Sequence, residues 1–237
     1  MHESLMHDRM YVAADIMIMT VRSGQLCLLL SRRTADPFAG CCALPGRLVD
    51  LGESVEETAH RLLKEMLPVR QAYLEQLYTF SDVGRDPRGR VISAAYLIVV
   101  PWLHLEPVLA RGGSPLMLCE VKDGDDGIVL TAQDGSRIES GSLAFDHGRI
   151  IETGVARLRG KIDYTSIGFR FLGNTQAFTL SELQAVFEAV LGRPVDASNF
   201  RRGILARYEA AGKMEQLDRA EKRKRGRPAA LYRFIHD

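Results

Sequence analysis

Apolar residues in the first hundred positions come in short runs separated by turn formers: VAADIMIMTV, QLCLLLSR and, later, VISAAYLIVV ahead of Pro101. Runs of this length, bounded by Gly, Ser or Pro, predict the strands of a mixed sheet. Between the second and third runs the period changes. Val55, Leu62, Leu63, Met66 and Leu67 recur at helical spacing, Ser54 and Glu57 form a capping-box pair at the start, and Pro68 ends the helix. From 116 to 145, LMLCEV, GIVLTA and SLAF are separated by DGDDG and DGS, which predicts three strands joined by hairpin turns. Asp146 to Lys161 contains no proline and lines Ile150, Ile151, Val155 and Leu158 along one side, as expected of a helix that closes a first domain.

The pattern is different from Phe178 onward. Thr179 with Glu182 three residues later is a second capping box, and Gly192 is a C-terminal stop for the helix between them. Arg193 and Pro194 make a turn, Ser198 to Gly212 forms a second helix, and two short strands then enclose a basic tip. Two helices across a short turn followed by a basic hairpin describe a winged helix-turn-helix. The chain is therefore expected to be α+β, with a front domain over 1–160 and a rear domain over 161–237.

Charge sharpens that division. Residues 1–150 carry 15 Lys and Arg against 20 Asp and Glu, whereas residues 151–237 carry 16 against 10. A basic half beside an acidic one suggests that the basic half meets nucleic acid or a membrane surface. No apolar stretch is long enough to span a bilayer, and MHESLMHDRM lacks the basic start and apolar core of an export signal, so a cytoplasmic protein without membrane contact is expected. Cys27, Cys41, Cys42 and Cys119 show no zinc-site spacing, and the six histidines are scattered, His60 and His147 included. No cofactor is expected.

The most informative chemistry lies in GRLVDLGESVEETAHRLLKEMLPV, from Gly46 to Val69. It keeps the outline of a Nudix box, a loop and helix whose glutamates hold magnesium against a diphosphate. Glu53, Arg61 and Glu65 fit the pattern. Leu62 and Met66 stand where carboxylates belong, Pro68 replaces a glycine, and Arg47 departs as well. Magnesium needs oxygen ligands in near-octahedral order. Glu65, helped by Glu53 or Glu57, is a thin donor set, so no catalytic or metal-binding residues are expected. Glu56 and Glu57 read equally well as a solvated acidic start that suits the helix dipole.

In the rear half, Phe200, Ile204 and Tyr208 at spacing four predict an inward stripe. Ser198, Asn199, Arg201 and Arg202 stand in the first turn, where a recognition helix meets the major groove, with Arg201 and Arg202 flanking the stripe. Lys224, Arg225 and Arg227 mark the hairpin tip, which can lie on phosphate or enter a minor groove; a merely solvated charge run is the simpler reading. Leu180, Leu183, Val186 and Phe187 belong to the core.

Taken together, ALPGRLVDLGES, GRDPRGRVISAAYL, SLAFDHGRII, RLRGKIDYTSIGFRFL, FTLSELQAVFEAVLGRPVDASNFRR and RGRPAALYRF resemble the Nudix-related transcriptional regulators of bacterial NAD biosynthesis or sugar catabolism. The resemblance covers nearly the whole chain. It implies an N-terminal Nudix-like α/β/α sandwich joined to a winged helix-turn-helix, and a homodimeric repressor on a pseudo-palindromic operator. It also implies ADP-ribose, a related nucleotide or a phosphorylated sugar as small-molecule effector. Carried onto GRDPRGR, it makes Arg85, Asp86 and Arg88 effector-pocket residues beside Arg47, Glu53 and Glu65, since Arg grips diphosphate with two bonds. A plain hairpin turn explains the same segment equally well. The competing reading is an active Nudix hydrolase of a nucleoside diphosphate derivative with a basic appendage.

Overall fold

The computed structural model describes residues 9–67, 69, 72–111, 115–221 and 229–235. Pro68, expected to stop the first helix, and Lys224, Arg225 and Arg227 lie outside the described residues.

The long strand β1 (Tyr11–Arg22) turns at Ser23 and Gly24 into β2 (Gln25–Arg32), with Met19 opposite Leu28. Short segments β3 (Cys42–Ala43) and β4 (Gly46–Leu48) pair with β2 and β1 respectively. Helix α1 (Val55–Met66) follows, then β5 (Tyr73–Phe80), β6 (Val91–Val99) and α2 (Trp102–Ala110). Strands β7 (Leu116–Gly124), β8 (Gly127–Ala132) and β9 (Arg137–Glu139) complete a sheet whose main order is β5-β6-β1-β2-β7-β8-β9. The β1–β6 pair is parallel and its neighbours are antiparallel, which is the mixed sheet expected.

Both faces of this sheet are covered, because side chains alternate along each strand. Met17, Met19, Leu28 and Leu30 enter one apolar core, while Ile16, Ile18, Cys27 and Leu29 enter the other. Helix α1 supplies Ala59, Leu62 and Leu63 to the second core, and α2 supplies Leu105. Helix α3 (His147–Ile162) covers the opposite face with Ile150, Ile151, Val155 and Leu158. It lies very close to β1: a Cβ at Gly154 would come within 2.6 Å of the Met17 sulfur, so a larger residue there would force the end of Met17 to move. Three layers result, an α/β/α sandwich.

Two local expectations need correction. SLAF is no strand: Ser140–Ser142 make a 3-10 turn, Leu143 and Ala144 are buried, and the third strand of the hairpin is Arg137–Glu139. Phe145 is the reason, since its φ of 56° turns the chain away from extended geometry and into α3.

A 3-10 turn (Ser166–Phe171) and the short β10 (Phe178–Thr179) lead to α4 (Leu180–Leu191). The Thr179–Glu182 capping box is formed in full, and Gly192 ends the helix with φ 68°, a left-handed conformation that suits glycine. Helix α5 (Ala197–Ile204) starts one residue before the expected Ser198, with Asp196 as its cap. Its continuation, Leu205–Glu209, widens into a π-helical turn instead of a regular one. Strands β11 (Met214–Glu221) and β12 (Ala229–Phe234) pair antiparallel, and β10 joins the other side of β12.

The rear unit does not float free of the sandwich. Leu183, Phe187, Tyr208, Tyr232 and Phe234 belong to the same continuous apolar core as Met17 and Leu28. Arg159 of α3 locks the contact by gripping Asp123 at 2.8 and 3.0 Å while its Nε donates to the Val190 carbonyl. A cation at the last carbonyls of α4 also suits the helix dipole.

Candidate effector cleft and DNA-reading helix

The loop before α1 is organised around Arg61. Its Nε and one terminal nitrogen donate to the two Glu53 oxygens at 2.7 and 2.9 Å, and further bonds reach Asp50 at 3.1 Å and Glu65 at 3.3 Å. The Thr58 hydroxyl donates to Glu53 at 2.9 Å, and Arg47 meets the other Glu65 oxygen at 3.2 Å. The bond from Arg61, then that from Thr58, hold the Glu53 carboxyl below the usual carboxylate range. Both glutamates that fit the Nudix pattern are thus engaged by guanidinium groups. Leu62, where the pattern has a carboxylate, is 4% exposed within the apolar core, and Met66 packs at its edge. Among the described residues no group of three or more His, Cys, Asp or Glu is placed to hold a metal.

Beside this loop lies a buried ionic cluster that sequence reading missed. Arg85, with its side chain 4% exposed, donates to Asp146 at 2.9 and 2.6 Å and to Asp15 at 3.4 Å. Ser93 donates to Asp15 at 2.5 Å, and His147 Nε2 stands 3.8 Å from the other Asp15 oxygen. Burial disfavours the Arg85 charge, but its bonds to Asp146 and the field of Asp15 outweigh it and raise its pKa. Burial likewise pushes His147 below its ordinary value, against the pull of Asp15. The neutral ring accepts from the Leu44 N–H through Nδ1 at 2.8 Å. Gly46 is required here, because a Cβ would sit 1.9 Å from the Asp15 oxygen. Arg85 therefore braces β1, β6 and the start of α3, and is not free to receive a ligand. The signal available in sequence was the isolated Asp15 inside an apolar strand, a position where an unpaired carboxylate is untenable.

Its neighbours in the same loop behave differently. Asp86 is buried and fixed by Arg88 at 2.7 and 3.0 Å, and that bond first of all lowers its pKa. The Arg88 side chain is 53% exposed and stands 5.6 Å from the Phe145 ring; Arg33 lies 4.7 Å from the same ring, and Phe38 meets it edge-on at 4.9 Å. Phe38 and Phe145 both have positive φ, 67° and 56°, a strained conformation for an aromatic residue and one that clusters at functional sites. The thiols of Cys27 and Cys119 are pushed up to about 11 and about 12 by burial, then by nearby acidic groups and thiols, which makes them inert core residues.

In the rear unit, Phe200, Ile204 and Tyr208 form the inward stripe, and the Tyr208 hydroxyl donates to the Thr165 carbonyl at 2.7 Å. The opposite side exposes Ser198, Asn199, Arg201 and Arg202. Arg202 donates to Asn199 at 2.8 Å, while Arg201 reaches across to the Tyr232 hydroxyl of β12 at 3.3 Å. Among the described residues no carboxylate is bonded to either arginine. Arg207, in the π-helical turn that continues α5, is also exposed and was not picked out from sequence.

Comparison with known proteins now adds to this geometry. Residues 168–234 match the NrtR DNA-binding winged helix domain, and residues 10–112 match the NUDIX domain. The crystal structure of Shewanella oneidensis NrtR complexed with a 27mer DNA superposes with a TM-score of 0.72 at 30% identity, covering 94% of this chain and 93% of that one. The ADPR responsive transcriptional repressor NtrR of Acinetobacter baylyi is 29% identical over 225 residues, 94% of this chain and 81% of that protein. The front half is also 37% identical over 125 residues to the ADP-ribose pyrophosphatase of Methanocaldococcus jannaschii, which spans 53% of this chain and 63% of that protein. With both domain models in this order and a relative matched from end to end, the chain belongs to the NrtR family of transcriptional regulators, a Nudix domain joined to a winged-helix DNA-binding domain.

Proposed function

We propose that this protein is a cytoplasmic transcriptional repressor, homodimeric on a pseudo-palindromic operator, whose Nudix domain senses ADP-ribose or a related phosphorylated metabolite without hydrolysing it. The residues divide near 160, close to the end of α3 at Ile162. The observation that carries the reading is the engagement of Glu53 and Glu65 by Arg61 and Arg47, set against exposed arginines on α5 that no carboxylate bonds among the described residues. Magnesium held for phosphoryl chemistry needs carboxylate oxygens turned toward it. A buried Leu62 and the guanidinium groups of Arg47 and Arg61 on the two remaining glutamates do not suit the ion.

The same arginines suit a phosphate. A diphosphate arriving at the loop competes with Glu65 for Arg47, and Arg88 stands half-exposed beside Phe145 as a second phosphate ligand. In this reading Asp86 and Glu65 hold those arginines in place, Glu53 holds Arg61, and Arg85 fixes the wall behind them. Ser198, Asn199, Arg201 and Arg202 read the major groove, with Lys224, Arg225 and Arg227 on the backbone. Met10, Tyr11, Val12, Leu48 and Leu51 are exposed apolar residues on and beside the paired β1 and β4, which supports a second copy covering that edge.

The deciding experiment is operator binding by the full chain with and without ADP-ribose, beside a turnover assay with magnesium. Ligand-dependent operator affinity with negligible turnover is the expected result. Rapid cleavage abolished by Glu65→Gln would replace this reading with the hydrolase that the pyrophosphatase likeness suggests.

A further inference from the structure

A cavity of about 1160 Å³ opens between α1, the start of α2 and the 3-10 turn Ser166–Phe171, away from Arg47 and Arg88. Helix α1 separates the two places: Arg61 and Glu65 turn to the Nudix loop, and His60 and Lys64, one residue earlier in each case, turn to the cavity. Its floor is apolar, with Leu63, Val99, Phe169 and Leu172, and its polar rim carries His60, Lys64, His104 and Arg170. Among the described residues no carboxylate lines it. Glu56 lies 3.9 Å from His60, and Glu75 nearby is already bonded by Tyr73 and Lys161. Arg170 stands 6.0 Å from the Tyr73 ring, and its Nε is buried with no hydrogen-bond partner among the described residues. An unsatisfied buried donor of this kind is costly and calls for an acceptor.

We propose that this cavity is a second ligand site, distinct from the Nudix loop, for a nucleotide-sized organophosphate: the apolar floor takes the base and the cationic rim takes the phosphate. The volume is at the upper end of small-molecule sites, and an apolar body with a few convergent polar groups is their usual make-up. Its position gives an occupant leverage on the rear unit. Phe169 stacks on Phe234 at 4.1 Å and meets Tyr208 edge-on at 4.9 Å, and Tyr208 stands on the element that continues α5. A ligand touching Phe169 and Arg170 thus presses on the packing that orients the recognition helix.

Calorimetric titration of the full chain with AMP and with adenosine tests the site. AMP is expected to bind more tightly than adenosine, and Lys64→Met and Arg170→Met are each expected to weaken AMP by roughly tenfold or more, the scale of one lost charge-assisted bond. Lys64 is exposed, so its substitution leaves the fold intact even if Arg170→Met does not. Arg47→Ala should leave this binding unchanged. The proposal is overturned if AMP fails to bind at millimolar concentration or if adenosine binds equally well. It is overturned too if Arg47→Ala abolishes AMP binding while both junction variants keep it, a result that would leave the Nudix-loop reading standing.

Discussion

The Nudix loop and helix α5 hold arginines in opposite states. Around α1, Arg61 is bonded by Glu53, Glu65 and Asp50, and behind the loop Arg85 is sealed between two aspartates. On α5, Arg201 and Arg202 touch only neutral partners among the described residues, a tyrosine hydroxyl and an asparagine carbonyl. Charge satisfied inside the fold holds the fold; charge left without a counter-ion is available to a polyanion. The contrast shows that counting basic residues misleads unless their partners are known, since Arg85 and Arg202 look equally suited to phosphate in sequence.

The largest effect that would break this contrast is on Arg85. Arg85→Met leaves Asp15 and Asp146 facing each other without their cation, and a buried pair broken on one side costs about 3–5 kcal/mol. Chemical denaturation should show that loss; a change below about 1 kcal/mol would mean that Arg85 is as expendable as a surface arginine. On α5 the same kind of deletion should leave stability alone and act on DNA. Arg202→Ala is expected to cost about 1–3 kcal/mol of operator affinity if it reads a base edge. Measured by titration with operator and with unrelated duplex, an equal loss on both would reduce it to a phosphate contact.

A smaller and sequence-independent effect belongs to the tip. Neutralising Lys224 and Arg225 should flatten the dependence of binding on salt by up to about 2 in log–log slope, since each phosphate contact contributes about 0.9. An unchanged slope would make the tip a solvated run, and the cationic side of α5 would stand alone.

How far these two regions could be read in advance follows from how local their determinants are. Both capping boxes, the Gly192 stop and the Phe200–Ile204–Tyr208 stripe depend on residues a few positions apart, and all were legible. The Arg85 cluster joins positions 61, 70 and 78 residues apart in sequence, so nothing local announced it. SLAF was misread for a related reason. Its residues favour a strand, but Ala144 bonds back to Cys42, a partner a hundred residues away, and Phe145 is bent into a positive φ against its own preference. The junction cavity was equally hidden, being built from α1, α2 and the chain leading into the rear unit.

The smallest expected effect concerns His147, a titratable group held neutral by burial. Its folded pKa is depressed, chiefly by desolvation, while in the unfolded chain it titrates near about 6.5. Below that pH the unfolded state takes up a proton that the folded state refuses. Stability is therefore fully present above about 6.5 and falls as pH drops toward the folded value, by at most about 1.4 kcal/mol for each pH unit crossed. His147→Gln can still accept from the Leu44 N–H but cannot titrate. Denaturation curves for the two proteins between pH 7.5 and pH 5, both values about one unit or more either side of that reference, should converge as pH falls. Parallel curves would mean that the imidazole charges within the fold, with Asp15 close enough to receive it.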